Sequence, residues 1–140
     1  MENYLESLDG EVVLLRNLIK KGRTNLLLFY NTSCLGCTGR AVPFAYELSQ
    51  EFKDLNLIVI HSNFSKHRFS KAEILSIFTT KTSPFDIYID PQAKVYEHYE
   101  CEGTPHWVLL DQNLNLYRSI FGSQAQAQQR LWYALESLGG

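Results

Sequence analysis

The stretch Leu26-Leu27-Leu28-Phe29-Tyr30-Asn31-Thr32-Ser33-Cys34-Leu35-Gly36-Cys37 carries the decisive pattern of this chain. Leu26–Tyr30 is a continuous apolar run, short and without polar alternation, which is the signature of a strand buried on both faces. The polar segment Asn31-Thr32-Ser33 ends it. Beyond the second cysteine, Val42, Ala45, Leu48 and Phe52 recur at helical spacing. Two cysteines separated by two residues therefore stand where a buried strand gives way to a helix. The first turn of a helix leaves backbone N–H groups unpaired and carries about half a positive charge, which stabilises a thiolate at Cys34. An unperturbed thiol titrates at about 8.5, so this position favours nucleophilic sulfur nearer neutral pH. Cys34 is expected to attack a disulfide and form a mixed disulfide, which Cys37 resolves. Cys37, one turn further in, is expected to be the more buried of the two.

The rest of the chain alternates. Leu57–Ile60 is a second buried run, followed by Ile87–Ile89 and Trp107–Leu110. Leu116–Ile120 follows the turn-forming Asp111-Gln112-Asn113, which predicts an antiparallel hairpin. A helix is expected over Ser70–Phe78, with Ser70 as cap and Glu73 at capping-box spacing. A short polar helix or turn falls around Pro91–His98, where Asp86 and Asp90 read as turn and cap residues. A terminal helix carries Leu131, Leu135 and Leu138, with Ser123 as N-cap, the Gln124–Gln129 tract as its exposed first part, and Gly139 at the C′ position. The order β-α-β-α-β-(α)-β-β-α predicts an α/β fold with a central mixed sheet and helices on both faces.

Composition narrows the function. The chain has 140 residues, 45% of them hydrophobic, and residues 1–140 are read as a single domain. A chain of this length buries about two-thirds of its unfolded surface and needs no disulfide staple. Thirteen basic against 15 acidic side chains, scattered along the chain, predict neither a nucleic-acid partner nor a polybasic membrane anchor. The acidic start Met1-Glu2-Asn3-Tyr4-Leu5-Glu6 does not resemble a secretory signal, and no apolar run approaches the roughly 20 residues of a membrane helix. A cytoplasmic protein is expected. Three cysteines are too few for a disulfide scaffold, and in a reducing compartment a close pair points to catalysis or metal binding. A zinc site would need two further ligands, for which Cys101 with His106 is the pair to consider. Two thiols carry electrons themselves and call for no cofactor.

Taken together, these segments resemble the thioredoxin-like three-layer α/β/α fold, in the TlpA-like thiol–disulfide oxidoreductase branch that borders the peroxiredoxins. Leu8–Leu14 is similar to that branch's opening hairpin, and Leu27–Cys37 to its strand and cysteine motif. Phe85–Asp90, then Tyr99 and Gly103-Thr104-Pro105, resemble its segment around a cis proline, and Val108–Asp111 the strand after it. The resemblance implies that Pro105 is cis and faces the cysteine pair. It also implies that the backbone of Thr104 receives a substrate chain, and that disulfide-containing proteins and an electron donor are the partners.

Several residues depart from the family pattern. Ser33 stands where an aromatic precedes the first cysteine, and Leu28 where thioredoxins carry a buried Asp. Arg40 stands where TlpA-like proteins often place a Glu, and Pro43 falls one position late, implying an altered first helical turn. Arg40 and His106 are auxiliary candidates: Arg40 for electrostatic support of a thiolate, His106 for protonating a leaving thiolate. Each has a plainer reading, as a solvated helix residue and a hydrogen-bonded strand residue. Cys101 reads as a core thiol. Tyr30 and Trp107 flank the two site segments, as core residues or as the lining of a substrate groove. Two other functions fit the same fold. A peroxiredoxin-like peroxidase would need a Thr three before the cysteine, whereas Thr32 is two before Cys34. A non-catalytic module would bind a protein or a metal.

Overall fold

The structure is a computed structural model, and it describes residues 3–139. Its centre is β3 (Asn25–Tyr30), the Leu-rich run, with all six residues buried. β3 pairs in parallel with β4 (Asn56–Ser62), which pairs in parallel with β5 (Ile87–Asp90). On its other side β3 pairs antiparallel with β6 (His106–Leu110), and β6 with the edge strand β7 (Leu116–Phe121). The hairpin of β1 (Tyr4–Glu6) and β2 (Val12–Leu14) joins β5 through Glu6 and Ile89. The seven strands form one mixed sheet in the order β2-β1-β5-β4-β3-β6-β7.

Alternation along β3 divides the core into two layers. Leu26, Leu28 and Tyr30 face α1 (Val42–Glu51), α2 (Lys71–Leu75) and α4 (Ala127–Ser137) through Ala45, Leu48, Ile74, Leu131 and Leu135. Leu27 and Phe29 face the other side, against Leu15 of a short 3-10 turn and Val95 of α3 (Lys94–His98). Helices on both sides of a mixed sheet are the expected α/β/α architecture.

Local chemistry explains most element ends. The Ser70 hydroxyl accepts from the Glu73 amide at 3.1 Å, and the Glu73 carboxylate accepts from the Ser70 amide at 2.9 Å, closing the capping box. This helix stops at Leu75 rather than Phe78, with the Ser76 hydroxyl donating to the Glu73 carbonyl at 2.6 Å, a bond that competes with further helix. Asp90 accepts the first amides of α3, from Val95 and Tyr96. Gly139 takes φ +80° just past α4, as a C′ glycine should.

The start of α4 differs from the sequence expectation. The helix begins at Ala127, preceded by a left-handed Gln126, and Ser123 caps nothing. The physical reason is a tether: the Gly122 amide donates to the Pro105 carbonyl at 2.7 Å and that of Gln124 to Phe121 at 3.0 Å, which holds the chain in turns after β7. The first half of the Gln-rich tract is therefore exposed loop rather than helix.

Candidate active site

The turn after β3 is built by Asn31. Its carboxamide oxygen accepts from the Ser33 amide at 2.8 Å, and its nitrogen donates to the Ser62 carbonyl at 2.8 Å, fastening the turn to the end of β4. The Cys34 amide donates to the Asn31 carbonyl at 3.0 Å. Cys34 thus stands at the head of the helical segment, where its carbonyl accepts from the amides of Cys37 and Thr38 at 3.1 and 3.2 Å. Its sulfur accepts from the Cys37 amide at 3.2 Å, the helix-start donor anticipated from the spacing.

From Cys37 to Ala41 the backbone widens into a π turn before α1 begins at Val42. A π turn holds one residue more than an α turn. The displaced Pro43 follows directly, so its ring and missing N–H fall where the π turn passes into α1.

The second segment arrives from residues 70 positions away. The peptide bond between Thr104 and Pro105 is cis, and the Cys34 thiol donates to the Thr104 carbonyl at 3.4 Å. Gly36 also faces this proline, since a Cβ on Gly36 would lie 3.9 Å from Pro105 Cδ. Gly122, which sequence reasoning passed over, secures the loop from the other side. A Cβ there would come within 2.5 Å of Pro105 Cγ and 2.8 Å of its carbonyl oxygen, so only glycine permits this approach.

The two cysteines are close together and differ in environment. Cys34 is half-buried; Cys37 is fully buried in the α1 layer of the core. Burial, and then the hydrogen bond with Cys34, push the Cys37 thiol up to about 12. A buried, protonated sulfur suits a resolving thiol and an accessible one suits the attacking thiol.

Behind Cys37 lies a buried polar pair that the sequence did not reveal. Tyr30 and His61 are neighbours across β3 and β4, with their rings edge to face at 5.4 Å. Burial, and then the nearby Cys37, hold the Tyr30 phenol well above its usual range, while burial pulls His61 down to about 4. The Thr32 hydroxyl lies 3.4 Å from His61 Nε2, so it turns to β4. Tyr30 and Trp107 are both core residues, at 0% and 1% exposure, and Trp107 also forms part of the wall of the groove beside Pro105.

His106 does not join the cysteines. Register pairs it with Phe29, which puts it on the opposite face of the sheet from Trp107, Tyr30 and Cys37. Its Nδ1 accepts from the Glu102 amide at 3.4 Å, leaving Nε2 to donate to the Ser119 hydroxyl at 2.7 Å. It is a satisfied strand histidine, held below its ordinary pKa by burial. Cys101 packs on that same far face, where burial and then Asp90 push its thiol up to about 12. The four residues considered for zinc are thus split between two sides of the sheet. Arg40 is exposed and opens onto a groove of about 560 Å³ that includes Gly36, Pro105 and Gly122.

A mixed sheet between helical layers, with a cysteine pair at the end of its central strand facing a cis proline, defines the thioredoxin fold. Solved structures place the chain among proteins of that fold. A protein described as the thiol:disulfide interchange protein DsbE of Chlorobium tepidum superposes at a TM-score of 0.79 and 18% identity, covering 100% of this chain and 94% of its own. An exposed lipoprotein thioredoxin of Streptococcus pneumoniae gives 0.73 at 20% identity, over 98% and 99%. A secreted disulfide oxidoreductase of Mycobacterium tuberculosis gives 0.75 at 14% identity, over 97% and 96%. No protein-family model and no curated protein sequence matches the chain.

Proposed function

We propose that this chain is a thiol–disulfide oxidoreductase that reduces or exchanges disulfides in protein substrates. The observation that carries the reading is the Cys34 sulfur, reachable from solvent, bonded to a helix-start amide and set against the carbonyl before the cis proline. The Cys34 thiolate attacks one sulfur of a substrate disulfide. The S–S bond breaks, the other sulfur leaves with the electron pair and takes a proton from water, and a mixed disulfide remains. Cys37 then loses its proton and attacks Cys34. The Cys34–Cys37 bond forms, the second substrate sulfur leaves as thiolate, and two electrons have passed to the substrate. A dithiol electron donor returns the pair to its reduced form by the same steps. Thr104 and Pro105 position the substrate, whose extended chain adds beside the Thr104 backbone.

Residues 1–140 act as one functional unit in this reaction. The cytoplasmic setting expected from the sequence belongs to the proposal and not to the fold, because proteins described as secreted and as an exposed lipoprotein share that fold. Among the described residues no helix is long and apolar enough to cross a membrane.

Turnover of a protein disulfide by the parent and by Cys34→Ser and Cys37→Ser tests the reading. Cys34→Ser should lose activity to background, and Cys37→Ser should accumulate a mixed disulfide at Cys34. Full activity in Cys34→Ser refutes the assignment. A parent inert with every donor and a pair that never oxidises would instead favour a non-catalytic binding module.

A further inference from the structure

The groove beside the cysteine pair, lined by Gly36 and Pro105, has a distinct chemistry. Gly36 and Pro105 belong both to the site and to the groove, which puts the groove within reach of a polypeptide whose disulfide lies at Cys34. Its walls are polar, formed by Gln124, Gln128 and Gln129 among others, side chains that can both donate to and accept from a peptide backbone. One charged residue lines it. Arg40 is exposed and has no ion-pair partner among the described residues, and no carboxylate lines the groove to neutralise it. A second cation is bonded to the wall, where Arg130 donates to the side chain of the lining residue Gln124 at 3.2 Å. The groove therefore presents uncompensated positive charge, although the chain as a whole carries a formal net charge of −2.

Resting on the oxidoreductase reading, we infer that Arg40 selects substrates: the preferred partner is a protein disulfide with an Asp or Glu a few residues from the attacked cysteine, its carboxylate paired with the guanidinium. The planar fork of arginine suits bidentate capture of a carboxylate. A lysine at the same substrate position meets like charge and is rejected, which adds to the discrimination. An ion pair at a groove mouth is solvated and screened, so one such contact changes affinity by no more than about fivefold. Attraction for Glu and repulsion of Lys together separate the two by about tenfold, and salt weakens the preference.

The test uses three oxidised peptides that differ only in Glu, Gln or Lys two residues after the cystine. The rate of Cys34 oxidation by each is measured in the wild type, Arg40→Gln and Arg40→Glu. The wild type should prefer Glu over Lys by about tenfold, mainly through KM, and 0.5 M salt should shrink that ratio severalfold. Arg40→Gln should bring the ratio near one, and Arg40→Glu should invert it. A wild-type ratio of one, or a preference that survives in Arg40→Gln, overturns the inference. Reaction of the wild type with the small neutral hydroxyethyl disulfide separates the two levels. If that reaction proceeds and the peptides are not distinguished, only the assignment of Arg40 fails; if it is absent, the oxidoreductase reading falls and this inference with it.

Discussion

His61 ends up fully buried on β4, its ring edge to face with Tyr30 at 5.4 Å and with Phe69 at 4.7 Å. In the unfolded chain its imidazole titrates at its ordinary value of 6.5, and in the folded protein at about 4. Between those values the unfolded state binds a proton that the folded state refuses. The contribution to stability is therefore complete above pH 6.5 and is lost as pH falls toward 4. At about 1.36 kcal/mol per pH unit, the loss is about 2 kcal/mol at pH 5 and approaches about 3 kcal/mol at lower pH. His106, also buried and lowered by desolvation, acts in the same sense. Glu73, held below its unfolded value of 4.5 chiefly by its bond to the Ser70 amide, adds a loss only in more acidic solution. Urea unfolding followed by circular dichroism at pH 7 and pH 5 reads the effect directly. The wild type should lose about 2 kcal/mol or more between the two, and His61→Phe should lose about 2 kcal/mol less, His106 supplying the remainder. Equal losses in both proteins would refute the assignment to His61.

Three further outcomes follow from the geometry. Gly122→Ala places a Cβ within 2.5 Å of Pro105, so it should cost about 1–3 kcal/mol and slow reduction of protein disulfides, measured by urea unfolding and insulin reduction. Asn31→Ala removes the bonds to the Ser33 amide and the Ser62 carbonyl, and should lower stability by about 1–3 kcal/mol in the same unfolding assay. Leu28→Ala, in the middle of the buried strand, should cost about 2–5 kcal/mol while leaving the cysteine spacing untouched.

The strands at the centre were legible because their information is local: Leu26–Tyr30 and Leu57–Ile60 are buried on both faces and read as such. The capping box of Ser70 and Glu73 was legible for the same reason, as was the burial order of the two cysteines. What escaped depends on distant partners. The face taken by His106 follows from its register against Phe29, which no neighbouring residue specifies. Ser123 looked like a cap, but the bond from Gly122 to Pro105, 17 residues earlier, holds that segment out of the helix. Gly122 itself gave no signal beyond being a glycine after a strand. The apolar run around Tyr30 concealed two polar groups, the phenol and the His61 ring, that meet only when β3 and β4 pair.

The central claim is that Cys34 and Cys37 form a redox couple, and equilibrium redox titration of that pair tests it most directly. The account predicts an intramolecular disulfide that forms and breaks reversibly with a two-electron dependence, at a potential between about −270 and about −120 mV. Thiols that stay unpaired across that range, or oxidation that needs Cys101 instead of Cys37, would contradict it.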